Sequence, residues 1–345
     1  VTPEYTRARA VELYQREYAI TFPFEERPAG RPAKTSPVTA RLAARGAVFG
    51  ARNGWERAVW FPKDAAEAAL QDRLTLERPA FTPVIARECE AVAQRVGLAE
   101  LPGFTRFEIS GAGAADALDL MIAGPLPRVG RVSLAYTLTR AGGVESEFTI
   151  TRLEENRFLL LSASSAEWHD ADLLRERLPA SLSIRNETDA VTTLIVAGPL
   201  SRALLQGLTA CDIETAAFPW LAARRIAVAG IDVLALRVSY TGELGWELHV
   251  PMVKSGALHD ALAGAGEALG MAHFGLHAMD SMRLEKGYRA WKQDLTSEYS
   301  ALAAGLDRFV KLDKSADFRG KQALIAEREA ERNGRQGDRL VGLLV

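Results

Sequence analysis

Residues 237–251 (RVSYTGELGWELHVP) constrain what this chain can fold into more than any other stretch of its length. Leu234, Leu236, Val238 and Tyr240 alternate toward one face of an extended segment, and Trp246, Leu248 and Val250 alternate again beyond Gly242 and Gly245. A period of two belongs to a strand with one buried face, so the spacing predicts an antiparallel hairpin turning through the two glycines. Glu247 then lies on the face opposite Trp246 and Leu248, beside a strand that ends at Tyr240. A carboxylate and a phenol are brought to one corner.

The rest of the chain alternates between helical and strand patterns. Thr2 before Pro3 reads as an N-cap with proline at the first helical position, opening a helix to about residue 18. A proline- and arginine-rich crossing follows over 22–37, then helices over 38–45, 65–70 and 83–96. From Phe104 the pattern turns to strands. Val132, Leu134, Tyr136 and Leu138 alternate before Gly142-Gly143, and Val144, Phe148 and Ile150 alternate after it, which predicts a second hairpin. A short strand over 158–161, a helix over 170–178 and a strand over 194–196 precede a Gly198-Pro199 turn and a helix through Leu208. Two hairpins over 226–250 follow, then a helix capped by Ser255 and stopped at Gly270. A charged helix lies beyond Lys321, and an apolar run occupies 340–345. The expected fold class is α+β, with antiparallel sheets and packed helices and no βαβ nucleotide-binding rhythm. The run SGAGAAD at 110–116 lacks the third glycine of a dinucleotide fingerprint and predicts a glycine turn opening a helix.

With 345 residues the chain can hold two or three domains. Lys and Arg number 42 against 44 Asp and Glu, leaving no global basic field for nucleic acid or an anionic membrane. Cys89 and Cys211 have no partners at metal-ligand spacing, so no disulfide scaffold or structural zinc is expected and the compartment reads as reducing. His169, His249 and the other histidines show no paired spacing and read as packing or surface residues. No membrane span or secretory leader is legible, so a cytoplasmic location, or a mitochondrial matrix in a eukaryote, is expected.

Residues 237–251 resemble the signature of the folate-binding aminomethyltransferase family, typified by the T-protein of the glycine cleavage system. The runs GLHAMDSMRLEKGY at 275–288 and YSALAAGLDRFVKLDKSADFRGKQAL at 299–324 are similar to later blocks of that family, in the same order. Upstream, TSPVTARLAARGAVFGARNGWERAVWF at 35–61 is similar to the dimethylglycine and sarcosine dehydrogenase branch, where it joins a flavin domain to the folate-binding half. The resemblance implies a join over 1–62, folate-binding domains over 63–325, and the start of a C-terminal β-barrel over 326–345. Both ends read as cut, and the complete barrel is not expected.

It also implies roles. Glu147, in GGVESEF, stands where the family places an aspartate near N10 of the folate; a carboxylate there stabilises the cationic amine and iminium states of methylene transfer. An isolated glutamate at such a position would otherwise read as a solvated strand charge. Glu247 matches the glutamate that binds the amino-pyrimidine edge of the pterin, whose adjacent N–H groups a carboxylate can accept together. Tyr240 matches a tyrosine used against folate, and Tyr288 carries a similar argument. Glu243 reads as peripheral, and Arg283 as an ion-pair partner of Asp280 three residues away. Met279 departs from the T-proteins, which place a folate-holding arginine there, and His277 stands where the dehydrogenase branch often has arginine. KGYR at 286–289 lacks the cysteine of the iron–sulfur assembly branch.

The implied activity is one-carbon transfer by the tetrahydrofolate-binding part of an N-methyl amine demethylating flavoenzyme, which captures the unit as 5,10-methylenetetrahydrofolate. Its substrate would be a small methylated amine. FAD would sit on a missing domain or a partner subunit, not on this chain, and an oligomer is left open. Two other readings stay open: a stand-alone tetrahydrofolate-dependent demethylase or methyltransferase, and a non-catalytic folate-binding subunit of an oxidase complex. The stretch through Trp55 and Trp60 favours the flavoenzyme branch.

Overall fold

The computed structural model describes residues 2–335 and 337–342. The chain forms two compact units that interleave along the sequence: 1–103, 189–220 and 224–286 make the first, and 104–188, 221–223 and 287–345 the second. Strand Trp55–Trp60, inside the stretch expected to be a join, is buried at every position and belongs to the first unit.

The first unit is built on a six-stranded sheet in the spatial order Ala223–Val228, Ile231–Leu236, Gly245–Pro251, Val191–Ala197, Gly97–Leu101, Ala272–His273. Its last pair is parallel, an exception to the antiparallel expectation. Val233, Leu234, Ala235 and Leu236 are all buried, as are Leu194 through Ala197, so these central strands are covered on both faces. Helix Pro3–Gln15 begins as expected, with Thr2 Oγ1 accepting from Tyr5 N at 3.2 Å. The predicted Ser255 cap is displaced by one residue: Lys254 is the N-cap, and Ser255 Oγ donates back to Met252 O at 2.8 Å.

Helix Leu276–Glu285 is held by a buried carboxylate. Glu88 of helix Thr82–Gln94 accepts from Phe61 N at 2.6 Å and Gly275 N at 2.8 Å, tying the helix start to the end of strand Trp55–Trp60. A Cβ on Gly275 would stand 2.2 Å from the carbonyl carbon of Val59, so only glycine permits this approach.

The second unit contains a five-stranded antiparallel sheet in the order Arg131–Leu138, Val144–Glu154, Arg157–Ser162, Thr105–Ser110, Ser183–Asn186. Phe107, Ile109, Phe148, Ile150, Phe158 and Leu160 form one core with Leu118 and Leu174 of helices Ala114–Met121 and Glu167–Arg177. The glycine turn at 111–113 does open a helix, with Gly113 in the left-handed region at φ 82°. Val144 was expected to share a face with Phe148 and Ile150. It packs instead with Tyr136, Leu138 and Leu306, because the ladder slips by one residue between Thr137 and Leu138. Helix Lys321–Arg332 occupies part of the stretch assigned to a barrel, and none of the described residues beyond it lie in a strand; Gln336 and 343–345 fall outside the described residues.

Candidate functional site

Glu147 lies on strand Val144–Glu154, directly across from Tyr136 on strand Arg131–Leu138. Tyr136 is 2% exposed, and the two groups act on each other: the carboxylate raises the phenol's pKa and the hydroxyl lowers the acid's. Glu147 keeps partial exposure, yet desolvation of its carboxyl pushes its pKa up to about 7. The Tyr136 hydroxyl and the Arg289 guanidinium oppose that rise, and the Asp294 carboxylate adds to it. A surface strand charge would show none of this. Glu147 is a partly exposed residue whose carboxyl is desolvated enough to raise its pKa toward neutrality.

Sequence spacing points to neither Tyr136 nor Arg289 as a site residue. Tyr136 read as one member of an apolar alternation. Counting back symmetrically from Leu138 opposite Val144 would pair it with Ser146; the one-residue slip in the ladder brings it to Glu147 instead. Ser146 faces the other way, where its Oγ and that of Ser162 donate to the fully buried Asp170 at 2.5 and 2.6 Å. His169 Nδ1 stands 3.0 Å from the same carboxylate, with its ring against Trp291. Tyr288, also in the second unit, follows Gly287 at φ 68° and is 36% exposed.

In the first unit, the strand carrying Leu234 and Leu236 stops at Leu236, four residues before Tyr240. Arg237 is drawn aside: its Nη1 donates to Phe218 O at 2.7 Å, and its guanidinium lies 5.6 Å from the Trp246 ring centre. Beyond it Ser239 and Thr241 pair through their hydroxyls at 2.8 Å, and Gly242 turns the chain at φ 78°. Tyr240 therefore sits in the turn, half-buried, rather than on the strand. Leu236 faces Glu247 as the last pair of the ladder.

Trp246, Leu248 and Val250 are fully buried, and Glu247 is on the opposite face, as the period of two required. On that face Glu247 Oε2 comes within 3.3 Å of His249 Nε2, and His249 Nδ1 is 3.0 Å from Thr193 Oγ1. Glu247 Oε2 is buried and accepts no hydrogen bond in this arrangement, the imidazole being close but not aligned. It is open acceptor capacity of the kind adjacent N–H donors would fill.

The remaining assignments are structural. Glu243 lies 3.4 Å from Lys286 Nζ, and Arg283, 1% exposed at its side chain, pairs with Asp280 at 2.7 Å. Met279 is buried, and His277 packs between Phe24 and Phe81 at 4.8 and 5.7 Å, with burial lowering its pKa to about 4. Among the described residues no three His, Cys, Asp or Glu side chains group to hold a metal, and no helix is long and apolar enough to cross a membrane.

Residues 38–314 match the family described as the GCVT N-terminal domain, and residues 1–36 match the FAD dependent oxidoreductase central domain. The chain is 37% identical over 326 residues to the mitochondrial dimethylglycine dehydrogenase of Rattus norvegicus, an alignment covering 94% of this chain and 38% of that protein. It is 29% identical over 367 residues to the mitochondrial sarcosine dehydrogenase of Homo sapiens, covering 95% and 40%. Against the aminomethyltransferase of Streptomyces coelicolor the identity is 35% over 259 residues, covering 74% and 68%. The chain thus spans 38 to 40% of the length of the two dehydrogenases. In structure it is similar to the glycine cleavage system aminomethyltransferase T from Bartonella henselae, with a TM-score of 0.71 at 23% identity over 87% of this chain and 75% of that one. That likeness is one of fold, and it is a mixed α+β fold with antiparallel sheets.

Proposed function

The chain belongs to the GCVT aminomethyltransferase family and is related to dimethylglycine and sarcosine dehydrogenases, and from that premise we propose that it is the tetrahydrofolate-binding part of an N-methyl amine demethylating enzyme. Its product would be 5,10-methylenetetrahydrofolate, its one-carbon donor a small methylated amine oxidised at an FAD carried outside this chain. The match of residues 1–36 to an FAD dependent oxidoreductase domain supports the flavin association.

The observation that carries this reading is the placement of Glu147 directly across the ladder from the buried Tyr136, with a carboxyl whose desolvation raises its pKa to about 7. Bound tetrahydrofolate would supply the two nitrogens that take up the one-carbon unit. The chain's own residues supply binding, orientation and proton handling. Glu247 Oε2, buried and without a donor, fits the paired N–H groups of an amino-pyrimidine. The Tyr240 ring would flank the folate, and Tyr288 is assigned a similar lesser role. The ionised form of Glu147 would lower the energy of positive charge on the transferred unit, and its pKa lets it hold or release a proton at the carboxylate near neutral pH.

Calorimetric titration with tetrahydrofolate, followed by the rate of its condensation with formaldehyde above the uncatalysed background, tests the reading. Glu147→Gln should bind tetrahydrofolate and lose the rate enhancement. No uptake of tetrahydrofolate, or full enhancement in the variant, would sink it.

A further inference from the structure

We propose that Tyr136 is the positioning residue for Glu147, its hydroxyl holding one carboxylate oxygen so that the other faces the reacting groups. The inference deepens the proposed function and rests on it. Tyr136 and Glu147 are direct cross-strand partners, so their side chains leave the same face of the sheet side by side. The donor has little freedom to swing away. Its ring is buried in a cluster with Leu138, Val144 and Leu306, lies 5.7 Å from the Phe309 ring, and its backbone carbonyl accepts from Ala123 N at 2.9 Å. Burial and the nearby Glu147 carboxylate both raise the phenol pKa, so Tyr136 stays protonated and remains a donor throughout the working pH range. The charged groups acting on this pair are Arg289 and Asp294 on Glu147, with Arg289 and Arg308 on the phenol.

A donor bond favours the ionised carboxylate and fixes its rotation about the last side-chain torsion. Without it, Glu147 would be an acid of higher pKa with two interchangeable oxygens. A tyrosine that only fills space would contribute stability and nothing else. The two roles separate in the pH profile.

The experiment uses this chain with tetrahydrofolate and formaldehyde, from about pH 5.5 to 9, for wild type, Tyr136→Phe and Glu147→Gln. Tyr136→Phe is expected to keep tetrahydrofolate affinity within about threefold, to lose roughly tenfold or more in rate, and to move the acidic limb of the profile to higher pH. Replacing Tyr136 with a ring-fluorinated tyrosine, a stronger donor of nearly the same volume, should move the limb to lower pH; it serves as the deciding measurement if the phenylalanine variant does not fold. A wild-type rate and unmoved limb in these variants, with Glu147→Gln inactive, would overturn the positioning role alone. Full activity in Glu147→Gln would instead overturn the reading of function beneath it.

Discussion

Glu247 Oε2 and His249 Nε2 stand 3.3 Å apart on one face of strand Gly245–Pro251, while Trp246, Leu248 and Val250 fill the other. The imidazole is anchored through Nδ1 at Thr193 Oγ1, its cross-strand partner, so the acid has a fixed polar neighbour without a saturated oxygen. Period two set the acid on this face. The buried apolar triplet behind it stops the strand from slipping.

Glu247→Ala should therefore separate binding from folding. Hydrogen bonds to a charged acceptor contribute about 1.5–3 kcal/mol, so tetrahydrofolate affinity should fall by roughly ten- to hundredfold. The melting temperature should move little, because the lost oxygen makes no internal hydrogen bond. Unchanged affinity by calorimetry would remove Glu247 from the binding role.

Glu88 should govern stability rather than chemistry. Burial raises its pKa to about 8, against the lowering effect of the Gly275 and Phe61 N–H donors. Because the folded value lies above the unfolded one, its contribution is complete below about pH 4.5 and is lost as pH rises through about 8. Glu88→Gln should abolish that slope. It should also cost about 1–3 kcal/mol near pH 6, since an amide accepts from only one of the two backbone donors. Urea denaturation from pH 5 to 9 checks both, and an unaltered slope would contradict the assignment.

The His259–His273 pair should act in the opposite direction. Their Nε2 atoms are 3.0 Å apart, an arrangement that needs one neutral acceptor, and Asp260 stands 3.3 Å from His259 Nδ1 while Arg41 holds Asp260. Burial lowers both values, that of His273 to about 3, with Arg45 adding to the effect on each and Asp260 opposing it at His259. Folded values below the unfolded 6.5 mean that this contribution is present above pH 6.5 and fades as pH falls through the folded values. His273→Gln should lose less stability than wild type on going from pH 7 to pH 4.5. Equal losses in chemical denaturation would show that the pair does not titrate with unfolding.

What the sequence determined by itself is local and periodic. Alternation set Glu247 opposite Trp246 and Leu248, glycines marked the turns at 142–143 and 242, and Thr2-Pro3 opened the first helix, because each depends on residues a few positions apart. Glu147 and Glu247 are singled out by the family resemblance and not by residue type alone, since an isolated strand glutamate reads as a solvated charge. Tertiary structure decided the rest. The pairing of Tyr136 with Glu147 depends on a one-residue slip in a ladder, the end of a strand at Leu236 on the pull of Phe218 O on Arg237, and the seat of helix Leu276–Glu285 on Glu88 some 187 positions from Gly275. The two units interleave along the chain, so contacts of that range cannot be read from spacing. Nor can the elevated pKa of Glu147, because desolvation is set by what packs around a carboxyl and not by its neighbours in sequence.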